Sequence, residues 1–283
     1  LQPVLGTHLG IHVESPAPGE WIAVDGKALR GSPGEQVVLA RTHQSGQLLA
    51  HQPISGPKRS EVTTVRTLVT QPPLAGRKVT LDALHCNPLT TAQIHQAQGG
   101  YLVQVKANQS ALRTAVQGLA ASDVPLGTCQ SVDKAHGRME VRHATFFSLA
   151  SLTLPPRWQH SGLTAVVRVD RSTTHLLTTK QTQAVAYYVT NQDVSTRTTQ
   201  TELFAAIRQH WGCEADNWLR DVTWQEDQVP VQHSTQAHVL GLLRTLVLGL
   251  FRKAGVGNMR AMVDDLADSP SLFTQLLRQV GFL

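Results

Sequence analysis

Short apolar runs alternate with amphipathic stretches through the first 125 residues, and Gly and Pro clusters separate them. Runs of this length predict strands, and apolar residues at a spacing of three or four predict helices. The turn at Ser45-Gly46 predicts a hairpin between the strands on either side of it. In chain order the pattern predicts three β elements, a helix, a strand, a helix, a strand and a helix, over residues 21–24, 36–42, 47–54, 61–70, 77–81, 88–98, 101–105 and 109–121.

The second half of the chain is first rich in strands and then helical. Strands are predicted over residues 136–149, 163–169, 173–179 and 184–189, and helices over 199–211, 213–220 and 236–253, followed by a short helical tail. Together, these patterns predict an α/β protein whose element order is that of a ribonuclease H-like fold, although other α/β proteins share parts of it. The predicted parts are an irregular lead-in (1–20), the first part of a mixed sheet flanked by helices (21–125), a β-rich insertion (126–192) and a helical C-terminal part of the core (193–283).

Composition narrows the classes of protein further. Hydrophobic residues make up 41% of the 283 residues, which excludes a disordered chain, and the net charge of +5 suits binding to a polyanion. The cysteines have no CxxC spacing, which excludes a zinc ribbon and favours a reducing cytosol; they are Cys86, Cys129 and Cys213. Residues 239–251 are apolar but short and contain Arg244, so we expect a buried helix there and no membrane association.

Two acidic residues directly follow apolar runs: Asp25 after residues 22–24, and Asp82 after residues 79–81. Strand ends are where carboxylates converge on a ligand in α/β sheets. An aspartate at such a position, taken alone, is usually a turn residue or a helix cap. Two such carboxylates can hold Mg²⁺ through hard oxygen ligands.

A third acid, Glu214, lies in a helical segment between two tryptophans. Trp211, Glu214, Trp218 and Asp221 fall on one helix face. Tryptophans at this spacing predict core packing. A glutamate in a buried stripe needs a partner, and a metal ion is one that suffices. Gly212 could instead break the helix and weaken this geometry.

Seven blocks of the sequence, in order, resemble bacterial insertion-sequence transposases of the ISAs type, which include the H-repeat-associated proteins. The block at residues 136–142 (HGRMEVR) matches the family pattern His-Gly-Arg-x-Glu-x-Arg in full. The others are residues 22–32 (IAVDGKALRGS), 58–61 (KRSE), 79–86 (VTLDALHC), 101–109 (YLVQVKANQ), 208–214 (RQHWGCE) and 221–227 (DVTWQED). The resemblance covers residues 21–253, nearly the whole chain.

The resemblance implies a DDE transposase catalytic domain with a ribonuclease H-like fold. The residues it implies as catalytic and metal-binding are Asp25, Asp82 and Glu214. It implies two Mg²⁺ ions, for which Mn²⁺ can substitute, about 3.5 to 4 Å apart; one activates water or a 3′-hydroxyl and the other stabilises the leaving oxygen. If the assignment holds, the three carboxylates should lie close enough to share ions, although without a cation they repel and can splay.

The implied partner is double-stranded DNA, both transposon ends and target, bound by a homodimer in the bacterial cytoplasm at the nucleoid. Basic residues near the blocks are candidate DNA contacts, although each, taken alone, is more often a solvated surface charge. They are Lys27, Arg30, Lys58, Lys106, Arg138, Arg142 and His210. Arg138, Glu140 and Arg142 alternate along one strand, so we expect them on one face, either as a surface ion-pair ladder or as a phosphate clamp.

The chain departs from the family pattern in two places. The family has a helical region before the first block, whereas about 20 residues precede Trp21 here, so we expect a catalytic domain without that region. After Glu214, Ala215 stands where Asn is usual, and Asn217 where His is usual. Three functions therefore stay open: an active transposase, a truncated or decayed copy that binds DNA without chemistry, and a ribonuclease H-like nuclease for cellular RNA or repair.

Overall fold

The computed structural model describes residues 17–32, 34–54, 60–135 and 137–281. The chain divides into two units: Leu1–Thr67 together with Gln209–Leu283 form the first, and Leu68–Arg208 form the second. Asp25 and Glu214 belong to the first unit, and Asp82 belongs to the second.

A three-stranded antiparallel sheet forms the centre of the first unit. Its strands are β1 (Trp21–Ala28), β2 (Gln36–Thr42) and β3 (Leu48–Pro53), with β2 in the middle. The predicted hairpin at Ser45-Gly46 is confirmed, since β2 and β3 pair antiparallel across it. In β1 the first four residues are all buried, a pattern typical of strands covered on both faces.

The helices of the first unit lie mostly in its C-terminal part. They are α1 (Glu61–Val69), α5 (Gly212–Trp218), α6 (Ser234–Lys253), α7 (Met259–Asp268) and α8 (Pro270–Gln279), and one π-helical turn, Leu219–Thr223, follows α5 directly. The long helix α6 packs on β3 and buries Leu242, Leu248 and Phe251. By length and composition alone it is the one helix among the described residues that could cross a membrane, a test that core helices also pass.

A mixed six-stranded sheet forms the second unit. Strand β4 (Lys78–Leu81) runs parallel to β5 (Gly100–Val105), and α2 (Pro88–Gln96) makes the crossover between them. The order continues antiparallel through β9 (Gln181–Thr190), β8 (Ala165–His175), β7 (Arg138–Ser148) and β6 (Gly127–Ala135). Helix α3 (Ser110–Ser122) packs against β8 and β9, and α4 (Arg197–His210) follows β9 in the chain.

The predicted α/β class and mixed sheet are confirmed, whereas two details of the β-rich region differ. Strand β6 was not predicted, and β8 is one continuous strand where two were predicted, over residues 163–169 and 173–179. The ribonuclease H-like assignment and the domain boundaries drawn from the sequence stay predictions.

Candidate active site

Asp25 lies inside β1 and not after it, because the strand continues to Ala28. Its backbone pairs with Leu39 of β2, and its side chain is partly exposed. The amide nitrogen of Asn217 in α5 lies 3.5 Å from the carboxylate Oδ2 of Asp25. Helix α5 therefore lies alongside β1 at the position of this aspartate.

A small cavity of about 20 Å³ adjoins Asp25 within the first unit, roughly the space that one water molecule needs. Asp216 and Cys213 of α5 line it together with Arg41 of β2. Asp216 accepts a 2.6 Å hydrogen bond from Arg41 and also pairs with Arg252. The buried acid of α5 is thus Asp216, and two guanidinium groups neutralise it.

The thiol of Cys213 is close to both acids that the resemblance singles out in this unit. Burial raises its pKa well above the ordinary value, and the nearby carboxylate of Asp25 raises it further. Glu214, Asp216 and Arg41 have smaller effects on the pKa of the same thiol. Asp25 and Cys213 also line the same cavity, so the start of α5, where Glu214 follows Cys213, lies beside Asp25.

Glu214 lies in the first turn of α5 and is exposed, and the expectation that its neighbouring tryptophans pack in the core is wrong. Trp211 is 48% exposed and Trp218 60%, whereas the buried residues of α5 are Cys213 and Asp216. Of the stripe predicted to be buried, Trp211, Glu214 and Trp218 are exposed, whereas Asp221 pairs with the buried Lys27. Because Glu214 is exposed, it does not require the partner that a buried glutamate needs. The break expected at Gly212 is present: α4 ends at His210 and α5 begins at Gly212, so Trp211 lies outside α5 as its N-cap.

Asp82 follows β4 directly and caps the 3-10 turn Ala83–His85. Its carboxylate accepts a 2.9 Å hydrogen bond from the backbone nitrogen of Leu84, so the predicted capping geometry is present. The imidazole of His85 is buried, and its Nε2 lies 3.9 Å from Asp82 Oδ1. Asn108, just after β5, donates a 2.6 Å hydrogen bond to the carbonyl of Ala83 and so ties down the same turn.

Within the described ranges, no group of three or more His, Cys, Asp or Glu side chains is arranged to hold a metal ion. The convergence of Asp25, Asp82 and Glu214 on shared ions therefore stays a prediction.

Two candidate DNA contacts of the first unit, Lys27 and Arg30, differ in how exposed their side chains are. Lys27 is only 4% exposed, and its ammonium group contacts Asp221 and lies 3.7 Å from Glu226. Arg30 is 78% exposed and lies 3.8 Å from Asp227. The position of Lys27 is that of a buried ion-pair partner, whereas Arg30 is accessible to a ligand.

His43 lies just after β2 in a buried position, near His210 and Arg41. Burial, with smaller contributions from His210 and Arg41, lowers the pKa of His43 to about 3, although a hydrogen bond with Gln209 acts in the opposite direction. His210, a candidate DNA contact, is partly exposed. Lys58, another candidate, lies outside the described residues.

Arg138, Glu140 and Arg142 share one face of β7, as the alternation predicts. Arg142 donates a 2.8 Å hydrogen bond to Asp133 on β6 and pairs with Glu140 on its own strand. Arg138 is exposed at the end of the same strand. The ion-pair ladder is thus present at Arg142, and Arg138 keeps its guanidinium accessible. Lys106, after β5, is also exposed.

Sequence comparison finds relatives that are named transposases. The "Putative transposase YncI" of Escherichia coli O157:H7 is 26% identical over 264 residues, which are 87% of this chain and 66% of that protein. The "H repeat-associated putative transposase YhhI" of Escherichia coli K12 is 26% identical over 243 residues, 81% of this chain and 63% of that protein. The chain is related to proteins named transposases. It spans a little under two thirds of their length, and no family model matches it.

A shorter similarity reaches higher identity. The "Uncharacterized protein in dhlA 3'region" of Xanthobacter autotrophicus is 31% identical over 158 residues, 53% of each chain. The similarity to transposase-named proteins extends over most of this chain, which supports the transposase resemblance drawn from the motifs.

The sequence did not predict the buried cluster of charged side chains that lies next to Lys27. Arg220 is fully buried and donates two hydrogen bonds, of 2.8 and 2.7 Å, to the carboxylate of Glu226, with a third to Thr245. Arg244 lies 3.5 Å from the same carboxylate. The signal in the sequence is the resemblance at residues 221–227, which does not say what the acids of that block contact.

Proposed function

We propose that the chain is the catalytic part of a DNA transposase that cleaves and transfers DNA strands of an insertion sequence. The observation that carries the proposal is that Asp25 and Cys213, the residue before Glu214, line the same small cavity of the first unit. The transposase-named relatives, similar over most of the chain, support it.

The donor set fits the divalent ions that this function requires. Carboxylate oxygens are the hard ligands that Mg²⁺ and Mn²⁺ prefer. Asp25 is partly exposed, Glu214 is exposed, and the side chain of Asp82 is 45% exposed, so a hydrated ion can approach each one. These three residues would hold two ions that, when bound, supply the activated water or 3′-hydroxyl and stabilise the leaving oxygen.

The remaining groups of the site hold the acids in place. Asn217 offers its amide nitrogen to Asp25, which orients that carboxylate. The backbone of Leu84 and the imidazole of His85 do the same for Asp82. Arg30, Arg138 and Lys106 are exposed cations that suit contacts to phosphate.

We propose double-stranded DNA as the partner, bound by a homodimer in the bacterial cytoplasm close to the nucleoid. Two DNA ends must be brought together for strand transfer, which is the reason for proposing a dimer.

Nicking of supercoiled plasmid tests the proposal. The purified chain is expected to nick plasmid with Mn²⁺, to lose activity with EDTA and to prefer DNA to an RNA–DNA hybrid. Asp25→Asn should be inactive under the same conditions. DNA binding without nicking by the wild-type chain would favour a decayed copy, and cleavage of the hybrid in preference to DNA would favour a ribonuclease H-like nuclease.

A further inference from the structure

Two segments of the first unit, nearly 200 residues apart in sequence, contact each other at three successive points. Lys27 pairs with Asp221 and lies 3.7 Å from Glu226. Further along, the backbone nitrogen of Arg30 donates a 3.2 Å hydrogen bond to the carboxylate of Asp227.

The third point is a backbone contact at Gly31. The nitrogen of Val231 donates a 2.9 Å hydrogen bond to the carbonyl of Gly31. A Cβ at Gly31 would overlap the carbonyl oxygen of Val229, so only glycine allows the two segments of the chain to approach this closely. The segment that begins with Asp25 and the segment that begins with Asp221 therefore fit together as a matched pair.

The charged side chains of this contact are buried, so each of them needs a partner of opposite charge. The side chains of Lys27 and Glu226 are 4% and 5% exposed, and that of Arg220 is 1% exposed. A buried charge that loses its partner is strongly unfavourable, so each ion holds the others in position. Lys27 is the member that belongs to β1, the strand that carries Asp25.

The geometry of these contacts also relates Lys27 to the acids of the proposed site. Lys27 lies two residues after Asp25, on the same face of β1. Its partner Asp221 lies in the π-helical turn that continues α5, the helix of Glu214 and Asn217. Asn217 meets Asp25 and Asp221 meets Lys27, so the helical segment contacts the strand at two points four residues apart on the helix and two apart on the strand.

We propose that Lys27 is a positioning residue, whose ammonium group holds the helical segment of Glu214 in register on β1 through Asp221 and Glu226. This rests on the proposed function, in which Asp25 and Glu214 bind the metal ions. The ammonium group is neutralised inside the protein and does not contact phosphate. Lys27 thus serves the metal site and not the DNA, whereas Arg30 of the same block is exposed.

Hydrogen exchange tests the positioning directly. In Lys27→Gln the amides of residues 212–228 should exchange about tenfold faster or more, because local opening of that segment loses its ionic restraint, while α6 and the second unit change little. Lys27→Arg, which keeps the charge, should restore part of the protection. Arg260→Gln is the matched control, since Arg260 forms an exposed pair with Asp264 within α7. Unchanged exchange in residues 212–228, or equal acceleration everywhere, would overturn the proposal.

DNA binding and nicking distinguish positioning from phosphate contact. Lys27→Gln should lower nicking turnover about tenfold or more and raise the Mn²⁺ concentration needed for half-maximal rate, with DNA affinity within about twofold of wild type. If instead the affinity weakens and the salt slope of binding falls by about one, Lys27 contacts a phosphate and the proposal is wrong.

Two further outcomes, a wild-type chain that does not nick DNA and a Lys27→Gln variant that does not fold, still allow the role of Lys27 to be tested. A wild-type chain that does not nick DNA refutes the proposed function, whereas the exchange result still decides whether Lys27 holds the segment. If Lys27→Gln does not fold, Asp221→Asn removes the same contact from its partly exposed side, where Asp221 is 27% exposed, and the same local acceleration is expected.

Discussion

The side-chain amide of Asn217 lies 3.5 Å from the carboxylate of Asp25, although the two residues are 192 positions apart in the chain. The contact brings the end of α5 to the strand that carries the first proposed catalytic acid. The contact gives the Asn217 amide a role, because an amide N–H can donate to a carboxylate at any pH.

The first prediction separates catalysis from folding at Asp25. Asp25→Asn keeps the shape of the side chain but removes the negative charge that a metal ligand supplies. Nicking should fall at least about 100-fold, while the free energy of unfolding should stay within about 1 kcal/mol of wild type, because a partly exposed carboxylate among other acids contributes little to folding. Plasmid nicking and urea unfolding measure the two effects. Loss of stability together with retained nicking would make Asp25 a structural residue. The variants Asp82→Asn and Glu214→Gln are expected to show the same loss of nicking without loss of stability.

The second prediction concerns the arginines of β7. The salt dependence of DNA binding should be flatter in Arg138→Ala by about 0.9 in the slope of log K against log salt concentration, because one phosphate contact is lost. Arg142→Ala should flatten the slope less, since Asp133 and Glu140 already engage Arg142. Fluorescence anisotropy with a labelled duplex at several salt concentrations measures both slopes. Wild-type slopes in both variants would leave these arginines as parts of a surface ladder only.

The third prediction concerns the buried ion pair of Arg220. Arg220→Met should lower the free energy of unfolding by about 3 to 5 kcal/mol, because it leaves the buried carboxylate of Glu226 with weaker partners. Arg260→Gln, which breaks an exposed pair on α7, should change it by less than about 0.5 kcal/mol. Equal effects of the two substitutions in urea unfolding would contradict the buried cluster.

The fourth prediction is a pH dependence that arises from His51. Burial, with smaller contributions from Arg220 and His238, lowers its pKa to about 3. The folded protein therefore keeps His51 neutral while the unfolded chain binds a proton below its ordinary pKa of 6.5. Stability from this group is fully present above pH 6.5 and is lost as the pH falls towards 3, at up to about 1.4 kcal/mol per pH unit.

His51→Gln tests this dependence. The variant should show a shallower decline in the free energy of unfolding between pH 6.5 and pH 4 than wild type, by about one proton in the linkage slope. His43, with a pKa also lowered to about 3, supplies a second proton that the variant retains. An identical slope in the variant and wild type would show that His51 is charged in the folded state.

Local patterns predicted the elements of the first 125 residues closely. The boundaries of β2 agree with the sequence, and α2 and α3 end within two residues of their predicted ends. These elements bury apolar side chains at regular spacing, and turn residues mark their ends. Periodicity is informative there because tertiary packing and local pattern agree.

The β-rich region was harder to predict because its strands extend beyond the core. Strand β6 has one buried residue, Cys129, and so shows no alternation of apolar and polar positions that could identify it. The polar centre of β8 at Arg171 suggested a turn, yet backbone pairing to both neighbours continues through it. Hydrogen bonding to adjacent strands holds these segments, and a single sequence does not show such long-range pairing.

The site was predictable only in part for a different reason. The positions of candidate acids follow from local pattern, but whether a charge is buried depends on residues far away in the chain. Lys27 resembles a surface lysine in sequence and is inside because Asp221 and Glu226 meet it there. Trp218 resembles a core residue and is outside because Cys213 and Asp216 take the buried face of α5.

The solvent-facing tryptophans beside Glu214 give the protein a built-in optical reporter. Of its five indoles, those of Trp211 and Trp218 are in contact with water, whereas Trp21 and Trp158 are shielded. Emission from the first pair is open to iodide or acrylamide quenching, and the shielded pair provides an internal reference. The arrival of a nucleic acid or a metal ion at this face can therefore be followed by intrinsic fluorescence, without attaching a dye to the protein.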